Sequence, residues 1–333
     1  MKIAIHHRKG SFSDRWVAYC EQQQIPFKLV NCYDSNIIEQ LDDCSALMWH
    51  FHHNSAKDIL FARQLLFAVE SAGKKVFPNF HTVWHFDDKV GQKYLLEAVK
   101  APAVNTYVFY NKEEALNWCR NTSFPKVFKL RGGAGSANVQ LVSSRGAAEK
   151  LIRKAFGSGF KNEGVIPFSD IFKKFRKNRA TGKMLAKSFV RTFMPTEFAK
   201  VNGRERGYVY FQDFIPNNDH DIRVVVMEGN AFALKRMTRE NDFRASGSGK
   251  ILFNKELFDE GTIKLSLDMA KILQTQCVAF DFVYLQGKPL LVEISYGFSF
   301  PVYDQCEGYW DSNMEWHAGP FNPYGWTVEA LRK

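Results

Sequence analysis

Short apolar runs alternate with longer amphipathic stretches over the first 86 residues. The runs are typical of buried strands and lie at residues 2–5, 27–30, 46–49 and 75–77. Residues 58–72 have apolar positions at helical spacing, and they are followed by Gly73, a residue type that commonly ends a helix. Strands that alternate with helices in this way predict a parallel α/β domain over residues 1–86.

The pattern changes after residue 86. A charged helical segment, DDKVGQKYLLEAVK, precedes the strand-like pieces NTYVFY, FPKVFKL and ANVQLV, which predict a small mixed sheet with helices in residues 87–211. Within that region, residues 160–206 are basic and match neither neighbour, so we interpret them as an insertion. Residues 212–333 contain further strand patterns, among them DIRVVVM, AFALKRM, CVAFDFVYL and PLLVEIS, with a helix near residues 261–274. They predict an antiparallel sheet with helical cover.

Composition narrows the class of protein. At 333 residues the chain is long enough for two or three domains, and no apolar run approaches the roughly 20 residues that span a bilayer. The opening MKIAIHHRKG lacks the pattern of a signal peptide, so we predict a cytoplasmic location. The six cysteines are scattered without a CxxC pair, which predicts reduced thiols rather than a zinc site or disulfide framework.

The formal net charge of +10 allows three kinds of partner: nucleic acid, an anionic membrane surface, or a small acidic substrate in a basic cleft. Much of the excess charge lies in residues 160–206. A solvated helix face is the favoured explanation of that segment, and charge alone does not choose among these partners.

Two carboxylates interrupt the last pair of apolar strands. The strands are joined by Gln286-Gly287-Lys288, and counting outward from a three-residue loop places Asp281 opposite Glu293. Facing carboxylates repel each other unless a cation lies between them, and oxygen ligands favour Mg²⁺. Ser295 points the same way and adds an oxygen. The alternative is a solvated acidic pair on a sheet face.

A glycine-rich turn follows Lys129, at the end of a predicted strand, in the sequence KLRGGAGSA. A lysine with several free backbone N–H groups suits a polyphosphate, so the turn predicts a phosphate-binding loop. The sequence satisfies neither GK[ST] nor GxGxxG, which argues against P-loop and Rossmann sites. A simple hairpin loop is the alternative.

A third candidate segment is YVYFQDFI, whose alternation breaks at Gln212-Asp213. A strand that becomes a linker between lobes offers backbone groups to an adenine edge, and Asp221 suits ribose hydroxyls. An ordinary strand and turn is the alternative. The residues that follow are rich in cations and suit phosphates and a carboxylate: Arg223, Lys235, Arg236, Arg239 and Arg244.

Histidines end two of the predicted N-terminal strands. His6 and His7 follow the first strand, and His50, His52 and His53 follow the third. Either they form a metal cluster at the strand ends or they are polar residues at loops.

Taken in order, these segments resemble the ATP-grasp superfamily, most closely the branch of the ribosomal-protein glutamate ligase and D-alanine:D-alanine ligase. The resemblance covers residues 88–299 and rests on five ordered motifs: Asp88-Lys89, PKVFKLRGGAGSANV, FQDFIPNNDHDIRVVV, LKRMTRENDFRASGSGK, and AFDFVY with VEIS. It implies an ATP-grasp fold, in which two α+β lobes hold ATP between them, preceded here by the small α/β domain.

The resemblance also implies roles for individual residues. The nucleotide-binding set is Lys89 and Lys129 on the phosphates, Gly132, Gly133, Gly135 and Ser136 in the flap, Gln212, Asp213 and Phe214 at adenine, Asp221 at ribose, with Lys235 and Arg236 nearby. Arg223 and Arg244 would act catalytically on the transferring group, and Asp281, Glu293 and Ser295 would hold Mg²⁺. The family usually has asparagine where this chain has Ser295, which puts a second metal ion in doubt.

The implied activity is an ATP- and Mg²⁺-dependent ligase that activates a carboxylate as an acyl phosphate and joins it to an amine. The aromatic tail, residues 301–333, suggests a sugar acid or a glycan-linked or peptide acceptor, as in polysaccharide biosynthesis, while core packing is the alternative. A kinase with the same ATP site and a non-enzymatic anion or nucleic-acid binder are alternative functions, although nucleic acid is not the partner we predict. The sequence leaves the oligomeric state open, with a homodimer among the options.

Overall fold

The computed structural model describes residues 1–133, 138–161, 181–182, 201, 203–240 and 242–333. The N-terminal region is a sheet of four parallel strands in the order β2-β1-β3-β4, as the sequence predicts. Its elements are β1 (Ile3–His6), α1 (Phe12–Gln22), β2 (Phe27–Val30), α2 (Ile37–Gln40), β3 (Ala46–Met48), α3 (Ala56–Ser71), β4 (Lys75–Phe77) and α4 (Phe80–Val83).

A second sheet has the order β5-β10-β6-β7 and is antiparallel throughout, where the sequence predicted a mixed sheet. The reason is that β10 comes from beyond the insertion and lies between β5 and β6. The elements are α5 (Lys89–Ala98), β5 (Thr106–Phe109), α6 (Lys112–Asn121), β6 (Lys126–Lys129), β7 (Val139–Val142), α7 (Arg145–Ala155) and β10 (Val209–Asp213). The short strands β8 (Phe160–Lys161) and β9 (Arg204–Glu205) pair with each other.

The third sheet has the order β15-β14-β11-β12-β16-β17, and β13 pairs with β12. Its strands are β11 (His220–Met227), β12 (Asn230–Met237), β13 (Ile251–Leu252), β14 (Cys277–Leu285), β15 (Lys288–Ser295), β16 (Gly308–Trp310) and β17 (Trp316–Ala318). The helices around it are a short 3-10 turn (Lys255–Leu257), α8 (Glu260–Ile272), α9 (Phe300–Tyr303) and α10 (Pro323–Arg332). The predicted antiparallel sheet is therefore present, and α8 covers the face that holds Ile222 and Phe280.

The β14–β15 hairpin contains two features that the sequence did not indicate separately. Its turn is the two-residue Gln286-Gly287, both with positive φ (51° and 76°), and Leu285 pairs with Lys288. A β-bulge then places Val292 as an extra residue before Glu293, which restores the pairing of Asp281 with Glu293. Because a bulge re-aims side chains, Val292 and Glu293 both line the same cavity.

The C-terminal tail returns to the N-terminal region. Helix α10 packs against α1, and Trp16 Nε1 donates a hydrogen bond of 2.9 Å to Thr327 Oγ1. The tail aromatics stack on one another and on the core, since the rings of Phe321 and Trp326 are parallel and the rings of Phe321 and Phe232 lie 5.2 Å apart. Core packing therefore accounts for much of the aromatic content of the tail.

The described residues bear on the state of the cysteines and on the presence of membrane-spanning helices. All six cysteines are buried and none forms a disulfide. In the described part of the chain, no helix has both the length and the apolar character that a membrane crossing requires. The division into domains at residues 86/87 and 211/212 stays a prediction, and its second boundary falls within β10.

Candidate functional site

A cavity of about 260 Å³ lies between the second and third sheets. Strands from both sheets supply its walls, so residues far apart in sequence meet there. The residues singled out from sequence that line it are Lys89, Lys129, Gly133, Gln212, Asp213, Phe214, Asp221, Arg223, Arg236, Arg244, Asp281, Glu293 and Ser295. We call this space the first cavity.

Two described residues of the sequence-based set, Gly132 and Lys235, do not line the first cavity. Gly132 lines a neighbouring cavity instead. The role of Lys235 stays a prediction, and its geometry differs from that of Arg236: it pairs with Ile222, a core residue on the α8 side, so strand alternation turns its side chain away from the cavity that Arg236 faces. Gly135 and Ser136 lie outside the described residues, as does most of the predicted basic insertion.

Asp281 is the centre of a buried charge network at the base of the first cavity. Arg223, directly opposite on β11, contacts both of its carboxylate oxygens at 2.6 Å, and Arg236 contacts it at 3.0 Å. Arg236 also makes two bonds, of 2.6 and 2.7 Å, to Asp221. Burial alone would raise the pKa of Asp281, but Arg223 and Arg236 outweigh it and hold the pKa well below its usual range. At neutral pH this carboxylate is ionised.

Glu293 has a cation of its own. Lys89 Nζ lies 3.1 Å from its Oε1 and donates a second bond of 2.9 Å to the carbonyl of Gly133. Burial would lower the pKa of Lys89, but Glu293 raises it above the ordinary value. The carboxylates of Asp281 and Glu293 are thus both neutralised by protein cations. The inference that their repulsion demands a metal ion therefore needs correction, because lysine and arginine already relieve it.

Lys129 is the second buried lysine of this cavity. Burial, with Lys89 close by, lowers its pKa to about 8, although Glu293 acts in the opposite direction. A lysine in this state is still mostly protonated at pH 7, and any added negative charge stabilises its charged form. The first cavity therefore favours the binding of an anionic group beside Lys129.

Apolar residues form the other end of the cavity, at the linker after β10. The side chains of Val104, Val127, Val283 and Val292 line it, together with the backbone and side chain of Phe214. Phe214 meets Phe243 edge to face at 5.7 Å. An apolar slot next to a charged floor suits a ligand with a flat ring and an anionic tail.

Polar residues of β10 hold this linker in place. Gln212 donates from Nε2 to Thr106 Oγ1 at 3.1 Å and to the carbonyl of Val292 at 3.3 Å, which ties the second sheet to the third. Asp213 accepts a 2.5 Å contact from the buried Lys126. The sequence did not single out Lys126, because a lysine in an apolar strand has no distinctive pattern.

The glycine-rich turn is anchored to the segment just before α5. The N–H of Gly133 donates to Asp87 Oδ1 at 2.8 Å, and Arg131 forms an ion pair with Asp88. Asp87 has a left-handed backbone (φ 54°), and burial raises its pKa to about 6. Sequence analysis missed Asp87. The only available signal was its place beside Asp88-Lys89.

The strand-end histidines bond to backbone groups. Nδ1 of His6, His50 and His52 each lies within 3.2 Å of a backbone N–H, those of Cys32, Phe12 and Asn54 respectively. Among the described residues the one cluster with metal-ligand spacing is elsewhere, at Asp311, Glu315 and His317 near β17. The structure favours the alternative in which the strand-end histidines are polar residues of loops.

Comparison with solved structures identifies the class of fold, which is that of ATP-grasp proteins. D-cycloserine synthetase DcsG matches with a TM-score of 0.61 and 14% identity, over 99% of this chain and 100% of that one. D-alanine–D-alanine ligase from Bacillus anthracis matches with 0.54 and 14% over 90% and 88%. The ATP-grasp ligase PsnB, complexed with minimal precursor, Mg and ADP, matches with 0.54 and 11% over 99% and 97%.

No protein-family model matches the sequence, and no curated protein matches it either. The chain therefore has the ATP-grasp fold, as the resemblance from sequence predicted, at identities that show the fold alone.

Proposed function

We propose that the protein is an ATP-dependent ligase that joins a carboxylate to an amine through an acyl phosphate. The observation that carries the proposal is the charge arrangement of the first cavity. Two lysines and two arginines converge on two carboxylates beneath an apolar slot, and catalysis of phosphoryl transfer consists mainly of positioning and charge neutralisation.

In this proposal ATP lies along the first cavity. The adenine ring enters the valine-lined slot beside Phe214, and the phosphates lie over Lys89 and Lys129. Asp221 is the candidate for the ribose hydroxyls, although binding them requires it to share its oxygens with Arg236. The fold neighbour PsnB is complexed with Mg and ADP, which supports nucleotide binding by this fold.

The donor set fits Mg²⁺. Asp281 and Glu293 supply carboxylate oxygens, and Ser295 Oγ donates its proton to the carbonyl of Gly297 at 3.1 Å, which leaves hydroxyl lone pairs available. Magnesium bound there would neutralise phosphate charge. Lys89 contacts Glu293, and a phosphate group that draws Lys89 away would free that carboxylate for a metal ion.

The remaining steps use residues of this chain as charge stabilisers. Arg223 stays fixed by Asp281 and faces the transferring phosphoryl group, and Arg244, held by Asp242 at 2.6 Å, lies across the cavity toward the acyl oxygen. No side-chain nucleophile is required. The substrates are a small-molecule, peptide or glycan-linked carboxylate and an amine donor, and a cytoplasmic location remains part of the proposal.

An ADP-release screen tests this function. Libraries of carboxylates and amines are incubated with ATP and Mg²⁺, and ADP is measured with each compound alone and with pairs. We expect ADP and phosphate release that needs a carboxylate and an amine together and is lost in Asp281→Asn. The exposed Asp268→Asn serves as the matched control. Phosphate transfer to a hydroxyl compound without amine would instead indicate a kinase.

A further inference from the structure

A second cavity, of about 400 Å³, lies on the other side of the glycine-rich turn. Its walls are the β3–α3 loop with Phe51 and His53, helix α3 with Arg63, and the segment around β9 with Arg206 and Tyr208. Asp88 and Gly132 line this cavity, while their chain neighbours Lys89 and Gly133 line the first one. The wall between the two cavities is thus about one residue thick.

The acidic groups of the second cavity are already satisfied by protein donors. Asp58 accepts from the backbone N–H of His52 at 2.7 Å and from Ser55, Asp88 pairs with Arg131, and Glu205 accepts from the N–H of Arg131 at 3.0 Å. They have little capacity left for a ligand.

The arginines of the second cavity have fewer hydrogen-bond partners among the described residues than its acidic groups have. Arg63 donates only to the carbonyl of Phe86, and its Nε is buried without a partner in the described structure. Arg206 has no hydrogen bond or ion pair among the described residues, and Arg204 donates only to the carbonyls of Ser158 and Gly159. The Nε group of Arg63 and the side chain of Arg206 therefore keep hydrogen-bond donors available for a ligand at this cavity.

The position of Arg206 is built into the fold. Gly159 has a φ of 68°, and a Cβ there would lie 2.7 Å from the carbonyl of Glu205 and 2.9 Å from Cβ of Arg206. Only glycine lets the β8–β9 pair approach this closely. The close approach fixes the backbone at Arg206, which lines the same cavity as Arg63.

We propose that the second cavity binds a substrate carboxylate through Arg63 and Arg206, and that this carboxylate is a recognition group distinct from the one that is activated. The inference rests on the proposed ligase function. A carboxylate that receives a phosphoryl group must lie in the first cavity with Arg223 and Arg244, beyond the wall formed by the glycine-rich turn. A group held by Arg63 is therefore not the reacting one.

The charge balance favours a carboxylate over a phosphate. The cavity is lined by four arginines and four acidic residues, so a dianion would meet more repulsion than a monoanion. Guanidinium groups bind carboxylates through paired N–H donors, and the aromatic side chains of Phe51 and Phe86 provide an apolar wall for the rest of the molecule.

The test uses the whole chain, saturated with Mg²⁺ and a non-hydrolysable ATP analogue. Carboxylic acids, amino acids and dipeptides are titrated by calorimetry, each beside its amide, with inorganic phosphate as a further probe. We expect at least one acid to bind about tenfold more tightly than its amide, because the ionised carboxylate forms charge-assisted hydrogen bonds that the amide lacks. Arg63→Gln and Arg206→Gln should each remove most of that preference.

Arg120→Gln is the matched control, because Arg120 is exposed on α6 and lines neither cavity. It should leave the acid preference unchanged, and all three variants should bind the nucleotide as the wild type does. The inference is overturned if the nucleotide binds but no acid is preferred over its amide, if the preference survives both substitutions, or if phosphate binds more tightly through Arg63. Failure of the nucleotide itself to bind would contradict the proposed function instead.

Discussion

The two cavities beside the glycine-rich turn are built from different parts of the fold. In the first, the charged groups stand largely on strands, and sheet register pairs cation with carboxylate, as in Arg223 with Asp281 and Arg236 with Asp221. In the second, they stand on loops, a helix flank and a two-residue strand, and guanidinium donors such as Nε of Arg63 are left without a partner among the described residues. The comparison suggests that register fixes the reacting groups, while loops provide charge for recognition.

The largest effect on stability should come from Asp281, which pairs with Arg223 and Arg236 in the first cavity. Asp281→Ala leaves Arg223 and Arg236 buried without their shared partner, and such losses cost about 3–5 kcal/mol of unfolding free energy. Urea denaturation measures this. Asp268→Ala, in an exposed pair with Lys264, should cost less than about 0.5 kcal/mol. Equal effects of the two substitutions would mean that the register-paired network does not stabilise the fold.

A smaller effect is expected at the phosphate end of the same cavity. Lys89→Met removes a buried cation that would contact phosphate, and we expect the Kd for a magnesium ATP analogue to rise about 10- to 100-fold. Lys93→Met, one turn later on α5 and paired with Glu97, is the control. A Kd that rises equally in both variants would remove Lys89 from the proposed site.

The third prediction uses pH. The pKa of Lys129 is about 8, below the 10.4 of an unfolded lysine, so the folded chain binds fewer protons between these values and its unfolding free energy rises with pH there. Nucleotide phosphates favour the charged form, so binding should take up a proton and weaken above pH 8, by up to about tenfold per pH unit.

Calorimetry in buffers of different ionisation enthalpy measures that proton uptake. Lys129→Arg stays charged at these pH values, so its affinity should change little across the same range. An identical pH profile in the wild type and the variant would show that another group controls the dependence.

The smallest effect should be that of Lys235→Met. Its side chain lies on the sheet face away from the first cavity, so we expect less than a twofold change in nucleotide Kd. Arg236→Met, one residue later and on the cavity face, should change it much more. A large effect of Lys235→Met would support the original prediction from sequence.

Sequence periodicity was sufficient for the parallel N-terminal sheet and for the facing of Asp281 and Glu293. The facing of Asp281 and Glu293 is predicted correctly, but from an incorrect count of residues in the hairpin. We counted a three-residue turn and no bulge, whereas the hairpin has a two-residue turn and a bulge at Val292, and the two differences cancel. Period-two patterns do not reveal bulges, because one extra residue looks like a shift of register.

Contacts between distant segments could not be predicted in the same way. The insertion of β10 between β5 and β6 and the bond from Gly133 to Asp87 both depend on tertiary packing. Local sequence pattern likewise does not reveal that Lys89 and Arg223 neutralise the two facing carboxylates. The five ordered motifs, by contrast, predicted the fold because their order extends over residues 88–299 and so relates distant segments to one another.

The most direct test of the account is a calorimetric titration of a magnesium ATP analogue into the folded protein. The account predicts one nucleotide per chain with a Kd between about 1 μM and 1 mM, the usual range for enzyme substrates, and a large loss of affinity in Asp281→Asn. A folded wild-type protein that gives no binding heat over this range, or an Asp281→Asn variant that binds as the wild type does, would contradict it.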